Sequence, residues 1–283
     1  MKLKSYAITI LFSASLKCYA QDEVRLQWKL APNEVLSYKT VMKSVDTNPG
    51  KIKLPVTGDE KDTSTNFNLN NELEQLKRLA PQYYISKLKE TRKGTIDIEM
   101  VLPEIKTHTD TSKAGELYAM MSKLSGGVML RGAVNNDGQI KSFYLNAEQK
   151  NMIAFFFELP GKPVKVGDKW PISTNLLHTD QSFKCDSAFK RSEVTVLAIE
   201  NIGNDKIVTL KYDIQEYING EYKVGDMFKS INGKATMMVA EKAIGKFSVN
   251  KGRWVSYEGE LTYNNEAGLA PIKSKQILSL ISL

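Results

Sequence analysis

The segments AVNNDGQIKSF (residues 133–143) and FSVNKGRWVSY (residues 247–257) align with each other without gaps. In each, an apolar stretch leads into Asn-Asp-Gly or Asn-Lys-Gly, and a second apolar stretch follows. Glycine readily adopts the positive φ that a tight hairpin turn requires, and Asn and Asp favour the same turns. Both segments therefore predict a β-hairpin, with Gly138 and Gly252 in the turns.

A second pair of segments, residues 32–38 and 166–172, repeats in the same order. Each reads as a turn, an acidic residue (Glu34 or Asp168) and the start of a strand. Two ordered repeats predict two diverged copies of one antiparallel module, residues 21–145 and residues 159–283, connected by a helix at 146–158. Hairpins also resemble one another without shared ancestry, so that alternative stays open.

Most of the remaining sequence alternates apolar and polar residues, which is typical of half-buried strands. The predicted strands are 24–30, 35–42, 83–89, 94–102, 128–135, 139–145, 192–200, 206–217, 230–240, 243–250, 253–263 and 272–280. Three segments have helical spacing instead and begin at Asn70, Ser112 and Asn146. The polar segment 46–66 predicts a long exposed loop. The predicted fold class is α+β and mostly antiparallel β: a long curved sheet or open half-barrel with three short helices packed on it.

The N-terminal residues 1–20 resemble a secretory signal peptide. Lys2 and Lys4 form a basic start, an apolar run follows, and the segment ends in the small residue Ala20. We therefore expect export to the periplasm or the extracellular space, with cleavage near Ala20. A lipid anchor at Cys18 and a buried N-terminal element are the alternatives. No stretch has the roughly 18 apolar residues that a membrane span requires, so no transmembrane span is predicted.

The charge balance argues against a nucleic-acid partner. Residues 1–20 contain three lysines and no acidic residue, so their removal lowers the formal charge from +7 to +4. The remaining lysines and arginines alternate with Asp and Glu, whereas nucleic-acid binding requires a clustered basic stripe.

The segment LPGKPVKVGDKW (residues 159–170) and the later hairpin that contains Gly252 resemble a family of exported bacterial proteins of unknown function, frequent in Bacteroidetes. Members share a signal peptide, the Pro-x-x-Val-x-Val-Gly-Asp-x-Trp element and a final hairpin of this kind. The resemblance implies export but no activity, and it assigns no catalytic residue. At the level of the fold alone, a curved antiparallel sheet with helices on one face is similar to the periplasmic lipoprotein carriers.

Catalytic constellations are weak in this sequence. Asp168 and Asp226 each follow a Gly, and each is more readily explained as a turn residue than as an acid or base. His108 and His178 have an Asp two residues later, but no nucleophile elbow accompanies them. Cys185 is the one cysteine after residue 20, and we expect it to be a small buried side chain. We therefore predict no catalytic residue, no metal site and no cofactor.

Apolar stripes on two predicted helices form the candidate ligand-binding surface. They comprise Leu117, Met120, Met121 and Leu124 on the second helix, and Ile153, Phe156 and Phe157 on the third. Met and Phe line adaptable apolar sites, but similar stripes also arise where a helix completes the core over a sheet.

The favoured function is an exported, non-enzymatic protein of the cell envelope. It would bind a lipid, a hydrophobic peptide or a partner polypeptide on the concave face of the sheet, beneath the 46–66 loop. An envelope protein with a structural or assembly role and no ligand pocket is the alternative, and a secreted hydrolase is the third.

Overall fold

The computed structural model describes residues 23–45, 83–102, 127–143, 147–177, 179, 183–222, 233–266 and 272–283. Within these ranges the chain forms one α-helix, α1 (Ala147–Phe157), and thirteen β-strands. The strands are β1 (Val24–Arg25), β2 (Val35–Val45), β3 (Tyr83–Arg92), β4 (Thr95–Val101), β5 (Val128–Asn135), β6 (Ile140–Phe143), β7 (Pro163–Val164), β8 (Lys169–Trp170), β9 (Phe183–Ile202), β10 (Asp205–Tyr222), β11 (Gly233–Ser248), β12 (Arg253–Asn265) and β13 (Ile272–Ser282).

Eleven of the strands form one antiparallel sheet in the order β6-β5-β4-β3-β2-β13-β12-β11-β10-β9-β8. Strands β2–β6 come from the first predicted module and β8–β13 from the second. Eight residue pairs between β2 and β13, from Tyr38–Ser282 to Val45–Lys275, join the two sets. The prediction of a mostly antiparallel β protein is confirmed.

The sheet is open, and it does not curl into the half-barrel that the sequence suggested. Closure would require the two outer strands to pair with each other, as in a barrel. The outer strands β6 and β8 have only four and two residues and have their partners on the inner side alone. Edge strands this short leave little backbone for another pairing.

The core lies on one face of the sheet, which we call the covered face. Alternate residues of β10, namely Val208, Leu210, Tyr212 and Ile214, are fully buried there. Helix α1 packs on the same face, since the ring of Phe156 lies 5.0 Å from that of Tyr257. One-sided burial explains why the strands alternate so regularly between apolar and polar residues.

The predicted strands differ clearly from the structure in three places. Residues 24–30 form a strand only at Val24–Arg25, although Leu26 and Trp28 are buried as the alternation implies. The backbone N–H groups of Trp28 and Lys29 donate to the turn carbonyls of Asn136 and Gly252 rather than to a neighbouring strand. An extended segment that crosses two hairpins thus has the same sequence period as a strand.

The other two differences concern strand length. The predicted strands 230–240 and 243–250 are one continuous strand, β11, which bears the charged pair Glu241-Lys242 in its middle. Strand β9 begins nine residues before the predicted start. The prediction missed these residues because 184–191 are exposed on both faces and therefore show no apolar alternation.

Of the three predicted helices, the structure shows the third as α1, so three short helices are not confirmed. The segments predicted as helices from Asn70 and from Ser112 lie outside the described residues, as do residues 1–20 and the predicted loop 46–66. Helix α1 is shorter than the span a bilayer demands, and no described helix is long and apolar enough to cross one.

The two predicted hairpins are present, and each turn glycine binds an extended segment that crosses the hairpin. We call residues 24–30 and residues 159–164 the crossing segments. Gly138 and Gly252 have φ values of 82° and 61°. The carbonyl of Gly138 accepts a hydrogen bond from the N–H of Leu159 at 3.2 Å, and the carbonyl of Gly252 accepts one from Lys29 at 3.1 Å. The segment that precedes each set of strands thus docks on the hairpin of the other set.

The two crossing segments also pair with each other. Val24 of β1 lies opposite Val164 of β7, and Arg25 lies opposite Pro163. Two related modules would produce this reciprocal arrangement, because each would place its leading segment in the same way. The duplication itself stays a prediction.

The second repeated pair has the same turn geometry at both positions. Glu34 Oε2 accepts a hydrogen bond from the N–H of Ala31 at 2.7 Å, and Asp168 Oδ2 accepts one from Lys165 at 3.0 Å. In both turns the preceding residue, Asn33 or Gly167, has a positive φ. The carboxylate of Asp168 therefore closes a turn, as the sequence suggested, and Trp170 then enters the core.

Candidate ligand-binding site

The structure places three of the predicted ligand-binding residues and leaves four undescribed. Leu117, Met120, Met121 and Leu124 lie outside the described residues. Ile153, Phe156 and Phe157 face the sheet from α1 with at most 1% of their surface exposed. Their surroundings are aromatic: Phe157 lies 5.8 Å from Trp28 and 6.5 Å from Tyr38, measured between ring centroids.

Two tryptophans bind the end of α1 through their indole N–H groups. Trp254 Nε1 donates to the carbonyl of Phe156 at 2.6 Å, and Trp28 Nε1 donates to the carbonyl of Phe157 at 3.0 Å. The last carbonyls of a helix have no partner within the helix, so these indoles satisfy groups that would otherwise be buried without a hydrogen bond. The α1 stripe is therefore held in the core by packing and hydrogen bonds without a ligand.

A buried polar group lies beside this aromatic core, on the covered face. The Tyr257 hydroxyl donates a hydrogen bond to Glu241 Oε1, and the rings of Tyr257 and Tyr212 are 5.3 Å apart. All three residues are completely buried. Among the residues that the structure describes, neither Glu241 Oε2 nor the Tyr212 hydroxyl has a hydrogen-bond partner. We call Glu241, Tyr257 and Tyr212 the Glu241 cluster.

Burial governs the ionisation of this cluster. It raises the pKa of Glu241 to about 8, although the hydrogen bond from Tyr257 acts in the opposite direction. Burial also raises the pKa of Tyr212 and of Tyr257, and the nearby Glu241 carboxyl adds to both increases. At neutral pH the cluster therefore consists of a protonated carboxyl and two neutral hydroxyls.

A second buried carboxylate, Glu216, differs from Glu241 in having partners at both of its oxygens. Its Oε2 accepts hydrogen bonds from the N–H groups of Leu176 and Leu177 at 2.8 and 3.0 Å. Lys190 Nζ lies 3.1 Å from its Oε1 as an ion pair. Glu216 thus ties residues 176–177 to the sheet, a structural role that fully accounts for its burial. Glu241 has no comparable explanation.

The covered face becomes partly exposed beyond the Glu241 cluster. Leu261 lies opposite Glu241 in the β11–β12 pair, and Tyr263 lies opposite Val239. Gln276 of β13 lies opposite Leu261, and Met42 of β2 lies opposite Leu278. Leu261, Tyr263, Gln276 and Met42 are half-buried. We call these four residues the open strip: they are a mainly apolar surface that borders a buried polar group.

Two depressions lie on the opposite face of the sheet. One, of about 400 Å³, is lined by residues that include Lys87, Lys89 and Arg131. The other, of about 460 Å³, is lined by residues that include Lys169, Arg191 and Asp213. Ion pairs occupy both, for example Arg131–Glu99 at 2.9 Å and Arg191–Asp213 at 3.0 Å. The second depression is charged and unlike an apolar ligand site, whereas the first mixes charged residues with Val35, Ile98 and Ala133.

The other residues considered for chemistry are not brought together. Asp168 closes a turn, while Asp226, His108 and His178 lie outside the described residues. Cys185 is exposed, so the expectation of a buried thiol was wrong. It lies in the part of β9 that extends past β8 and is exposed on both faces. The described residues contain no group of three or more His, Cys, Asp or Glu side chains placed to hold a metal ion.

Sequence reasoning missed the Glu241 cluster, although a signal was present. From Met237 to Phe247, every second residue is apolar or small except Glu241. A single acidic residue in the apolar phase of a strand indicates a buried carboxyl. The neighbouring Lys242 made the pair resemble an exposed charged break between two strands, and this interpretation concealed the pattern.

Replacement of Glu241 with Gln should remove a fall in stability that the wild type shows as the pH rises from about 4.5 to about 8. The folded chain retains a proton on Glu241 that the unfolded chain releases, because the pKa of about 8 lies above the ordinary value of 4.5. Wild-type stability should therefore decline as the pH rises between these two values and then level off. Gln cannot ionise, so we expect Glu241→Gln to raise the free energy of unfolding at pH 9, relative to pH 4, by about 4–5 kcal/mol compared with wild type. Urea unfolding at both pH values measures this difference.

Glu258→Gln is the matched control, because Glu258 is an exposed carboxylate on the neighbouring strand β12. Its pH profile should match that of the wild type. Identical profiles for Glu241→Gln and wild type would contradict the protonated state of the buried carboxyl.

Comparisons of the chain with protein-family models, with curated proteins and with solved structures find no match. The resemblance to an exported bacterial family and the looser similarity to lipoprotein carriers therefore stay predictions.

Proposed function

We propose that this protein is an exported, non-enzymatic protein of the cell envelope that binds an apolar ligand on the open strip of the covered face. The observation that supports this most is the position of the Glu241 cluster, which is buried, has two polar atoms without a hydrogen-bond partner among the described residues, and borders half-buried apolar residues. Ligand sites are mostly apolar and have a few polar groups that fix the orientation of the ligand.

This proposal moves the site from the α1 stripe to the neighbouring strands. Phe156 and Phe157 already fill the space between α1 and the sheet, and their carbonyls are bound by tryptophans. Met42 and Leu261, by contrast, pack against the core on one side and are partly exposed on the other. An apolar ligand would bury the remaining surface of these residues and gain about 25 cal/mol for each Å².

Export is proposed from residues 1–20 and from the resemblance to exported proteins. An exported protein of the envelope encounters lipids and other amphipathic molecules, which are the ligands that this face fits best. A partner polypeptide would occupy the same strip only if it presented an apolar side chain to it.

Leu261→Gln should weaken ligand binding at least tenfold and leave the protein folded. Leu261 is half-buried on the covered face, so a polar side chain there makes the strip unsuitable for an apolar molecule. We expect at least a tenfold weaker affinity for N-phenyl-1-naphthylamine, a neutral fluorescent apolar probe, as measured by fluorescence titration. Circular dichroism verifies the fold, and native mass spectrometry of the protein lacking residues 1–20 should show a co-purifying lipid that the variant loses.

Ile277→Gln is the matched control. Ile277 pairs with Glu260 on the opposite face and is exposed, so this substitution should leave probe binding unchanged. A wild-type protein that has a clean apo mass and no affinity for the probe would contradict the proposal and favour a structural or assembly role.

A further inference from the structure

The Glu241 cluster combines deep burial with unused hydrogen-bonding capacity. Nearly all buried polar atoms in proteins have a partner, so each exception requires an explanation. Glu241 Oε2 and the Tyr212 hydroxyl are both completely buried, and in the described part of the chain neither has a partner. Tyr212 lies opposite Ala243 and Ile214 lies opposite Glu241, so the two polar side chains are diagonal neighbours on one face of adjacent strands.

The protonation of the cluster shows that its two unpartnered groups are hydrogen-bond donors. The Tyr257 hydroxyl already donates to Glu241 Oε1, which leaves the acid proton on Oε2. A carboxyl that an apolar site keeps neutral can act as a hydrogen-bond donor. The Tyr212 hydroxyl is a second neutral donor. Two groups that can donate therefore lie on one face of adjacent strands, and neither donates to an acceptor among the described residues.

The surroundings of the cluster argue against a charged ligand group. Among the described residues, the acidic groups near the cluster are Glu158, whose charge acts on Tyr212, and Glu216, on the neighbouring strand. The charge of Lys150 in turn acts on Glu158. Glu216 is already paired with Lys190. An anionic headgroup would meet these carboxyls without a free cation among them, and a protonated Glu241 offers no charge to an ammonium group.

We propose that Glu241 Oε2 and the Tyr212 hydroxyl donate two hydrogen bonds to one oxygen of an uncharged amphipathic ligand, such as the carbonyl of an ester or a ketone. The apolar part of that ligand lies on the open strip, next to Leu261. This inference rests on the proposed function and adds the chemical class of the ligand. It also assigns to Tyr212 and Glu241 the selection of ligands that carry an acceptor oxygen.

The test compares a neutral naphthalene ketone, 6-propionyl-2-(dimethylamino)naphthalene, with N-phenyl-1-naphthylamine, which has no carbonyl. Tyr212→Phe removes one donor, and we expect about tenfold weaker binding of the ketone with unchanged binding of the other probe. Glu241→Gln keeps a donor in place through its amide N–H groups and should retain the ketone, whereas Glu241→Met should lose it. Tyr83→Phe is the matched control, because the ring of Tyr83 lies under Lys39 at another site.

The pH dependence gives a second, independent readout. Ionisation of Glu241 above its pKa of about 8 removes the Oε2 donor, so wild type should bind the ketone more weakly at pH 9.5 than at pH 7. Glu241→Gln should show no such change. A role of the cluster in stability alone would leave probe selectivity the same at both pH values.

The possible failures are distinguishable. If neither probe binds the wild type, the proposed function itself fails. If both probes bind but Tyr212→Phe and Glu241→Met leave ketone affinity unchanged, this inference is overturned and the proposed function stands. If dodecylamine displaces the ketone from wild type and not from Glu241→Gln, the cluster binds a cation and the inference is equally overturned.

Discussion

Trp254→Ala should lower the free energy of unfolding by about 4 kcal/mol, since removal of a fully buried Trp or Phe typically costs about 3–5 kcal/mol. Trp254 is 2% exposed, and its ring lies 5.2 Å from Phe247, 5.9 Å from Tyr257 and 6.4 Å from Trp28. The ring also lies directly over Gly245, where an added Cβ would approach it to 2.7 Å. Gly245 has no side chain that could occupy the space of the removed ring, so the truncation leaves a cavity. Urea unfolding followed by circular dichroism measures the loss.

Trp254→Phe separates packing from hydrogen bonding. The phenyl ring preserves much of the aromatic contact but cannot donate to the carbonyl of Phe156, which then becomes a buried acceptor without a partner. We expect this variant to lose about 1–3 kcal/mol, the usual cost of such an acceptor. Val255→Ala, an exposed position beside it, should change stability by less than about 0.5 kcal/mol. A loss below 1 kcal/mol for Trp254→Ala would contradict the central place of this residue in the core.

Local features of the fold were predictable because their causes are local. The Gly138 and Gly252 hairpins follow from turn chemistry, and the α1 stripe of Ile153, Phe156 and Phe157 follows from helical spacing. The turn at Asp168 follows from a Gly-Asp pair whose carboxylate reaches an N–H three residues earlier. In each case the residues that decide the structure lie within about four positions of one another.

The arrangement of the sheet depends on contacts between distant residues. The β2–β13 pair joins Tyr38 to Ser282 and decides that both sets of strands form one sheet. Neither strand carries a local signal for this pairing, because any two half-buried strands present the same alternation. The open shape of the sheet follows from the short outer strands, whose lengths depend on which neighbours they find.

The candidate site was only partly accessible for the same reason. The sequence directed attention to Phe156 and Phe157, whose apolar spacing is visible along the helix. Whether such residues line a ligand site or fill the core depends on what faces them, here Trp28 and Tyr257 from segments far away in sequence. Glu241 is a buried, protonated carboxyl because Tyr257 and Tyr212, on the two adjacent strands, pack around it. The residues next to Glu241 in the sequence predict neither of these contacts.

Gly252→Ala should cost about 3 kcal/mol, whereas Gly203→Ala should cost about 1 kcal/mol. The two glycines have nearly the same φ, 61° and 60°, so an added side chain meets the same backbone strain at each. Their surroundings differ. A Cβ on Gly252 would lie 2.5 Å from the backbone N of Lys29 and 2.6 Å from the carbonyl oxygen of Gln27, whereas Gly203 has no atom within 4 Å. Backbone atoms cannot move aside without displacing the crossing segment, so the difference of about 2 kcal/mol measures overpacking alone.

The same comparison tests whether residues 24–30 dock as an extended segment. If the added Cβ of Gly252→Ala displaces this segment, the hydrogen bond from the Lys29 N–H to the Gly252 carbonyl breaks. Trp28, whose indole binds the end of α1, is then held less tightly. Hydrogen exchange should therefore accelerate at the Lys29 amide in Gly252→Ala and stay at the wild-type rate in Gly203→Ala. Equal costs at the two positions, with unchanged exchange at Lys29, would mean that the segment does not press on the hairpin. The reciprocal contact between Gly138 and Leu159 would then lose its counterpart, and with it the structural support for two related modules.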